Sequence, residues 1–187
     1  MKKSILLIAI AMFSINFSIA QEKLPINIQK STIKWIGEYT FYFGGHDGFI
    51  NFKEGYFIKR NDVITGGTFI IDMNSITNTD IKEQKGKDGL VSHLKNEDFF
   101  EVEKYPTASL KITKVEYSDK VSARLEADLT LKGITKSINF RVKFDYKEKE
   151  MKTRFKIDRK RWNVNYESKF KDGAISDAIG FEVSVKL

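Results

Sequence analysis
The sequence predicts an all-β protein whose antiparallel strands close into a barrel, interrupted by one short helical segment near residues 88–100. Three observations carry this. Apolar and polar residues alternate with period two along most of the chain, most clearly where Val121, Ala123, Leu125, Ala127, Leu129 and Leu131 face one way and Ser122, Arg124, Glu126, Asp128, Thr130 and Lys132 the other. Short polar turns separate these runs, so successive strands reverse direction. Glycine pairs, Gly44-Gly45 and Gly66-Gly67, supply corners at which long strands curl. A two-sheet sandwich satisfies the alternation as well, but closure into a barrel removes the open edges along which exposed strands aggregate.

At the N-terminus, Lys2 and Lys3 precede an apolar run from Ile5 to Phe13, and Ser18-Ile19-Ala20 places small residues where a signal peptidase cuts before Gln21. Residues 1–20 are therefore expected to be a secretory signal peptide, too short to span a bilayer of about 30 Å, and residues 21–187 a single domain. The absence of cysteine excludes disulfides, thiolate metal sites, cysteine nucleophiles and an acylated-cysteine anchor. The net charge is +7; without Lys2 and Lys3 the chain keeps 30 basic against 25 acidic residues, a net +5. In an exported protein this balance speaks for a lysine-rich solvated surface, or for transient contact with anionic membranes, and not for nucleic acid.

The strands follow in order. Lys23 to Glu38 reads as two short strands or one bent strand, with Ile33, Trp35 and Gly37 on one phase. Tyr39 to Gly48, with Phe41, Phe43 and three glycines, reads as a tight reversal. Ile50, Phe52, Tyr56 and Ile58 are expected to share one face, and Arg60-Asn61-Asp62 to turn the chain into Val63 to Asp72. Ser75 to Gly89 is polar and charged and reads as an exposed, mobile loop. Next comes the one break in the alternation. Asp88 is a candidate N-cap, Leu90 and Leu94 lie at i, i+4, and Asn96 is a candidate cap for a second turn delivering Phe99 and Phe100. Tyr105 before Pro106 is pushed extended, so a strand begins near Thr107. After Gly133 turns the chain, Ile138, Phe140, Val142, Phe144 and Tyr146 oppose Asn139, Arg141, Lys143 and Asp145. Met151, Thr153, Phe155 and Ile157 mark the next strand, and Ile179, Phe181, Val183 and Val185 the last. Large and small inward residues either interdigitate as a solid core or leave a lined cavity, and periodicity is silent on which.

Several segments together resemble the YceI-like family of exported proteins. They are Gly66-Gly67-Thr68-Phe69-Ile70-Ile71-Asp72-Met73-Asn74-Ser75-Ile76, His93-Leu94-Lys95-Asn96-Glu97-Asp98-Phe99-Phe100, Lys104-Tyr105-Pro106-Thr107-Ala108, Ala127-Asp128-Leu129-Thr130-Leu131-Lys132-Gly133-Ile134-Thr135-Lys136, Ile157-Asp158-Arg159 and Ile175-Ser176-Asp177. Their order and spacing carry the likeness. The chain departs from the family pattern at Ser137, at Gly89-Leu90-Val91 and between Glu167 and Gly173. The resemblance implies an eight-stranded barrel of extended lipocalin type, a periplasmic or secreted location, no catalysis and no cofactor. It also implies an interior that binds polyisoprenoid or fatty-acyl amphiphiles. The lining candidates are Leu125, Leu129, Phe140, Val142, Phe144, Phe155, Phe181 and Val183 from the strands, closed by Leu94, Phe99 and Phe100 from the helical plug. His93 is the candidate head-group contact.

Other chemistries fit the sequence less well. His46 and His93 are the only histidines, and with Asp47, Asp88 or Asp98 they show no metal-ligand spacing. Asp158-Arg159 point to opposite faces of a strand, so each is expected to meet a cross-strand partner. Ser176-Asp177 lacks the nucleophile elbow of a hydrolase, and Arg159-Lys160-Arg161-Trp162 is an isolated basic-aromatic cluster of the kind that stacks bases. The competing functional reading is a filled barrel acting as an interaction or structural module through its Asp80–Asp88 loop, and a third is an outer-membrane barrel. A homodimer is compatible with each.

Overall fold
The computed structural model describes residues 21–40, 43–167 and 175–187. The signal segment, Phe41 and most of the Glu167–Gly173 departure fall outside the described residues. Nine strands are seen there: β1 (Glu22–Pro25), β2 (Thr32–Tyr39), β3 (Gly45–Arg60), β4 (Val63–Asp72), β5 (Thr107–Tyr117), β6 (Ser122–Leu131), β7 (Ile134–Asp145), β8 (Glu150–Asp158) and β9 (Ile175–Lys186). One α-helix, α1 (Gln84–Lys95), and 3₁₀ turns at Met73–Ser75 and Arg159–Trp162 complete the fold. Strands β2 to β9 form the predicted closed ring of eight, in which β2 pairs with β9 at one seam and β3 with β4 at the other. The ninth strand, β1, adds to the far half of β3, with Glu22 opposite Lys59.

The alternation explains the ring. On β7, Ile138, Phe140, Val142 and Phe144 are buried while Asn139, Arg141, Lys143 and Asp145 are exposed. Two tight hairpins use left-handed residues as their geometry requires: Asn61 (φ 49°) and Asp62 (φ 63°), then Lys132 (φ 48°) and Gly133 (φ 70°).

Three departures from the sequence expectation concern how the chain is laid out. On β3, Tyr56 and Ile58 do not share the face of Ile50 and Phe52. The register with β4 shifts between Phe52 and Glu54, and this bulge exchanges the faces, so that Phe57 is buried. Tyr56 instead lies beneath the Lys23 ammonium, 4.4 Å from the ring centre. Second, Ser75 to Gly89 is not a free loop. Thr77 and Thr79 donate their amides to the Phe49 and Asp47 carbonyls at 2.9 Å each, Ile76 and Asn78 are buried, and α1 starts at Gln84. Asp88 is therefore inside the helix, accepting from Gln84 Nε2 at 2.7 Å, and Glu83 precedes the helix without a side-chain cap. The first helical turn is wholly polar, which hides it from a search for apolar periodicity. Asn96 terminates α1, and its backbone carbonyl, accepting from Phe99 and Glu101, shapes the next turn. Third, Trp162 is fully buried and donates its indole N–H to the Leu129 carbonyl at 3.1 Å, so it is not available to stack on a base.

Candidate functional site
The barrel is not filled. An internal cavity of about 690 Å³ runs between its inward faces, lined by Leu125, Leu129, Phe140, Phe155, Phe181 and Val183 among the residues singled out on the strands. The helical segment contributes Leu90, His93, Leu94, Phe99 and Phe100 to the same lining. Phe140 stacks on Phe155 at 4.4 Å, and Phe155 meets Phe181 at 5.4 Å, giving a continuous aromatic wall.

Val142 and Phe144 are buried but do not line the cavity. They lie toward the other end of the barrel, where Phe144 packs against Phe57 (6.3 Å) and Tyr117 (5.8 Å). The Tyr117 hydroxyl donates to the Ile64 carbonyl and accepts the Ile64 amide, both at 3.1 Å, which pins β5 to β4 there. Burial pushes the Tyr117 phenol above its ordinary value. This end is a packed floor, and its two residues follow the same alternation as the lining because period two reports the face and not the depth along the barrel.

Polar lining groups gather at the opposite end, with one exception. Thr153 sits midway, and its hydroxyl donates to the Arg141 carbonyl at 2.6 Å. The rest come from the end of β2 (Glu38, Tyr39), the start of β3 (His46), α1 (His93), the stretch after β8 (Arg159, Tyr166) and the start of β9 (Ser176). Arg159, 2% exposed, is held rigidly: Nε donates to the Ser176 carbonyl at 3.2 Å, Nη1 to the Val164 carbonyl, and Nη2 to the Asp177 carboxylate at 3.3 Å. Its neighbour Asp158 accepts the Lys160 amide at 3.0 Å and starts the 3₁₀ turn. His93 presents its ring edge-on to Tyr166 (4.5 Å) and Phe99 (5.5 Å), with Nε2 buried and 3.5 Å from the Asp98 carboxylate.

A second polar cluster joins three elements at the same mouth. The Tyr39 hydroxyl lies 3.0 Å from His46 Nε2, and His46 Nδ1 lies 2.8 Å from Asp80 Oδ2. The other Asp80 oxygen accepts the Asp47 amide at 2.9 Å and Asn78 Nδ2 at 2.5 Å. Burial pushes the Asp80 carboxyl up, but the hydrogen bonds from Asp47, His46 and Asn78 together hold it below the ordinary carboxylate value. Asp47 is also held low, by the Thr79 hydroxyl and then by Lys34, whose ammonium is 3.0 Å away. Sequence reasoning singles out neither Tyr39 nor Asp80. Tyr39 continues the phase of Ile33, Trp35 and Gly37, and that is the available signal. Asp80 carries none, since its partner is 34 residues away.

Among the described residues, no three His, Cys, Asp or Glu side chains converge to hold a metal ion, and no helix is long and apolar enough to cross a membrane.

Fold and site together define a closed antiparallel barrel built around an apolar cavity with one polar mouth. Within that class the chain belongs to the YceI-like family, whose domain description matches residues 17–187. Over 58 residues it is 36% identical to a UPF0312 protein of Pseudomonas putida strain W619, and over 58 residues 34% identical to another of strain GB-1. Each match spans 31% of this chain and 30% of the relative, so the chain matches less than a third of those curated relatives' length. Among solved structures, Burkholderia cenocepacia BcnA superposes with a TM-score of 0.65 at 15% identity, covering 86% of this chain and 98% of BcnA. A mutant of the Campylobacter jejuni YCEI protein gives 0.51 at 18% identity, covering 79% and 82%. At these identities the likeness establishes the fold.

Proposed function
We propose that this protein is an exported, non-catalytic carrier that holds one long-chain amphiphile, a polyisoprenoid or fatty-acyl lipid, with the chain in the barrel and the head at the polar mouth. The carrying observation is the cavity: about 690 Å³, apolar along its length, with polar side chains concentrated at one end. At roughly 30 Å³ per small group, the share of a water in the liquid, it accommodates about 20 carbon atoms. Each buried methylene contributes about 0.8 kcal/mol, so such a chain gains on the order of 16 kcal/mol before the costs of immobilising it. The surplus over those costs sets the affinity.

Export rests on the signal-like residues 1–20, and family membership supports the periplasm. The exposed Phe43 beside the mouth, on a chain of net positive charge, suits transient pickup at an anionic membrane. The charged outer faces of β6 and β7, with Arg124, Arg141 and Lys143 exposed, argue against a membrane-embedded barrel, where such residues face lipid at about 2–4 kcal/mol each. An open cavity argues against the filled-barrel module.

The test is native mass spectrometry of protein purified without detergent, paired with an organic extract of the same sample. A stoichiometric long-chain amphiphile that survives gel filtration supports the carrier. A protein that is empty and also refuses added polyprenyl and fatty-acid ligands refutes it.

A further inference from the structure
The hydrogen-bonded chain Asp80–His46–Tyr39 has a direction, and that direction decides which head group the mouth accepts. Asp80 is a carboxylate whose Oδ1 already takes two N–H donors, from Asp47 and Asn78. Its Oδ2 is acceptor-only, so the hydrogen at the 2.8 Å contact sits on His46 Nδ1. In a neutral imidazole this leaves Nε2 as a bare lone pair. Tyr39, 3.0 Å away, must then donate its only hydrogen to His46. What remains on the Tyr39 oxygen is lone pairs. A phenol beside a cavity would ordinarily offer both a donor and an acceptor; this one is committed to accept.

From this we propose that Tyr39, set by His46 and Asp80, selects amphiphiles whose head carries a hydrogen-bond donor, a terminal hydroxyl above all, over heads that only accept. The inference rests on the carrier reading above and adds the chemical class of the head group. Tyr39 and His46 both line the cavity at its polar end, so a chain seated in the barrel brings its terminus to them. A terminal alcohol donates to the Tyr39 oxygen. An ether of the same chain turns lone pair against lone pair, losing the bond and gaining repulsion. Asp80 and His46 act as positioning residues, since each works through Tyr39.

Asp80→Asn offers an unusual check because the structure dictates which way the new amide turns. The position of Oδ1 faces two donors, so the carbonyl oxygen of the introduced side chain takes it and the amide nitrogen faces His46. That nitrogen donates to Nδ1, the imidazole hydrogen moves to Nε2, and Nε2 donates to the Tyr39 oxygen. Tyr39 is then free to turn its own hydrogen toward the ligand, and an ether becomes acceptable.

The experiment compares a 20-carbon prenyl alcohol with its methyl ether at pH 8. Binding to the wild type, Tyr39→Phe and Asp80→Asn is read by retention in native mass spectrometry. Wild type is expected to bind the alcohol about tenfold or more tightly, the ratio one hydrogen bond supplies. In Asp80→Asn the ether should rise to the level of the alcohol; in Tyr39→Phe the alcohol should fall to the level of the ether. A merely structural role for Asp80 would weaken both ligands together. Equal binding of the two by wild type, or an ether that gains nothing in folded Asp80→Asn, overturns the head-group selection and leaves the carrier intact. Failure of all three folded proteins to bind either ligand or an added long-chain fatty acid overturns the carrier reading and this inference with it.

Discussion

Gly37 offers a measured way to shorten the cavity without disturbing the barrel. It lines the cavity from β2, opposite His46 on β3 and Ile179 on β9. A Cβ built there would lie 3.7 Å from the His46 carbonyl oxygen and 4.0 Å from the Trp35 ring, ordinary contact distances, and its φ is not in the left-handed region. Gly37→Leu therefore adds four carbons at the cavity wall without a clash at Cβ. Leucine also suits a strand better than glycine does, by a few tenths of a kcal/mol up to about 1 kcal/mol, so the fold should hold or gain. At roughly 30 Å³ per carbon the new side chain takes up about 120 Å³. That is about a sixth of the 690 Å³ available. A ligand that filled the wild-type cavity would leave about four methylenes outside, a loss of about 3 kcal/mol or roughly 200-fold in Kd. The assay is a series of prenyl or saturated alcohols from about 12 to about 20 carbons, titrated against wild type and variant. The optimum should move about four carbons shorter. A well-folded variant that binds the 20-carbon chain as tightly as wild type would refute the placement of the ligand in this cavity.

Other expectations follow from single contacts. Leu125 is fully buried on the cavity wall, so Leu125→Glu buries a carboxylate with no partner and costs several kcal/mol; the variant should unfold or lose lipid uptake, and a folded variant with wild-type uptake would remove Leu125 from the lining. Trp162→Phe deletes the 3.1 Å bond to the Leu129 carbonyl and leaves a void, so thermal denaturation should show a loss of about 2 kcal/mol or more, several degrees in Tm. Glu150 is held at about 2 by the Ser184 hydroxyl (2.6 Å), then by Lys152 (3.0 Å), with Lys186 (3.4 Å) adding to it. A depressed carboxyl stabilises fully above its unfolded value near 4.3 and loses that contribution as pH falls toward 2. Urea midpoints should therefore drop across that window in wild type, and Glu150→Gln should flatten that part of the slope.

The fold is legible because its signal is local. On β6 and β7 every second residue faces inward, and the antiparallel ring follows from that alternation and the two-residue turn at Lys132-Gly133. The helical plug shows itself through Leu90, Leu94, Phe99 and Phe100, the four residues that give it an apolar face, whereas its polar first turn from Gln84 looks like loop. Alternation alone puts Tyr56 and Ile58 on the wrong face because a one-residue bulge reverses every later side chain without leaving a mark in composition.

Local residue order sets which positions alternate and where the chain turns, and hence an antiparallel barrel with an apolar inside. How deep each inward residue sits emerges in the folded molecule alone, as does the division of Phe144 to the floor and Phe140 to the cavity and the meeting of Tyr39, His46 and Asp80 at the mouth. The difference is one of range. Alternation follows from the pleat of a single strand, but depth and polar partnership depend on the register between strands and on a loop docked 34 residues from the histidine it orients.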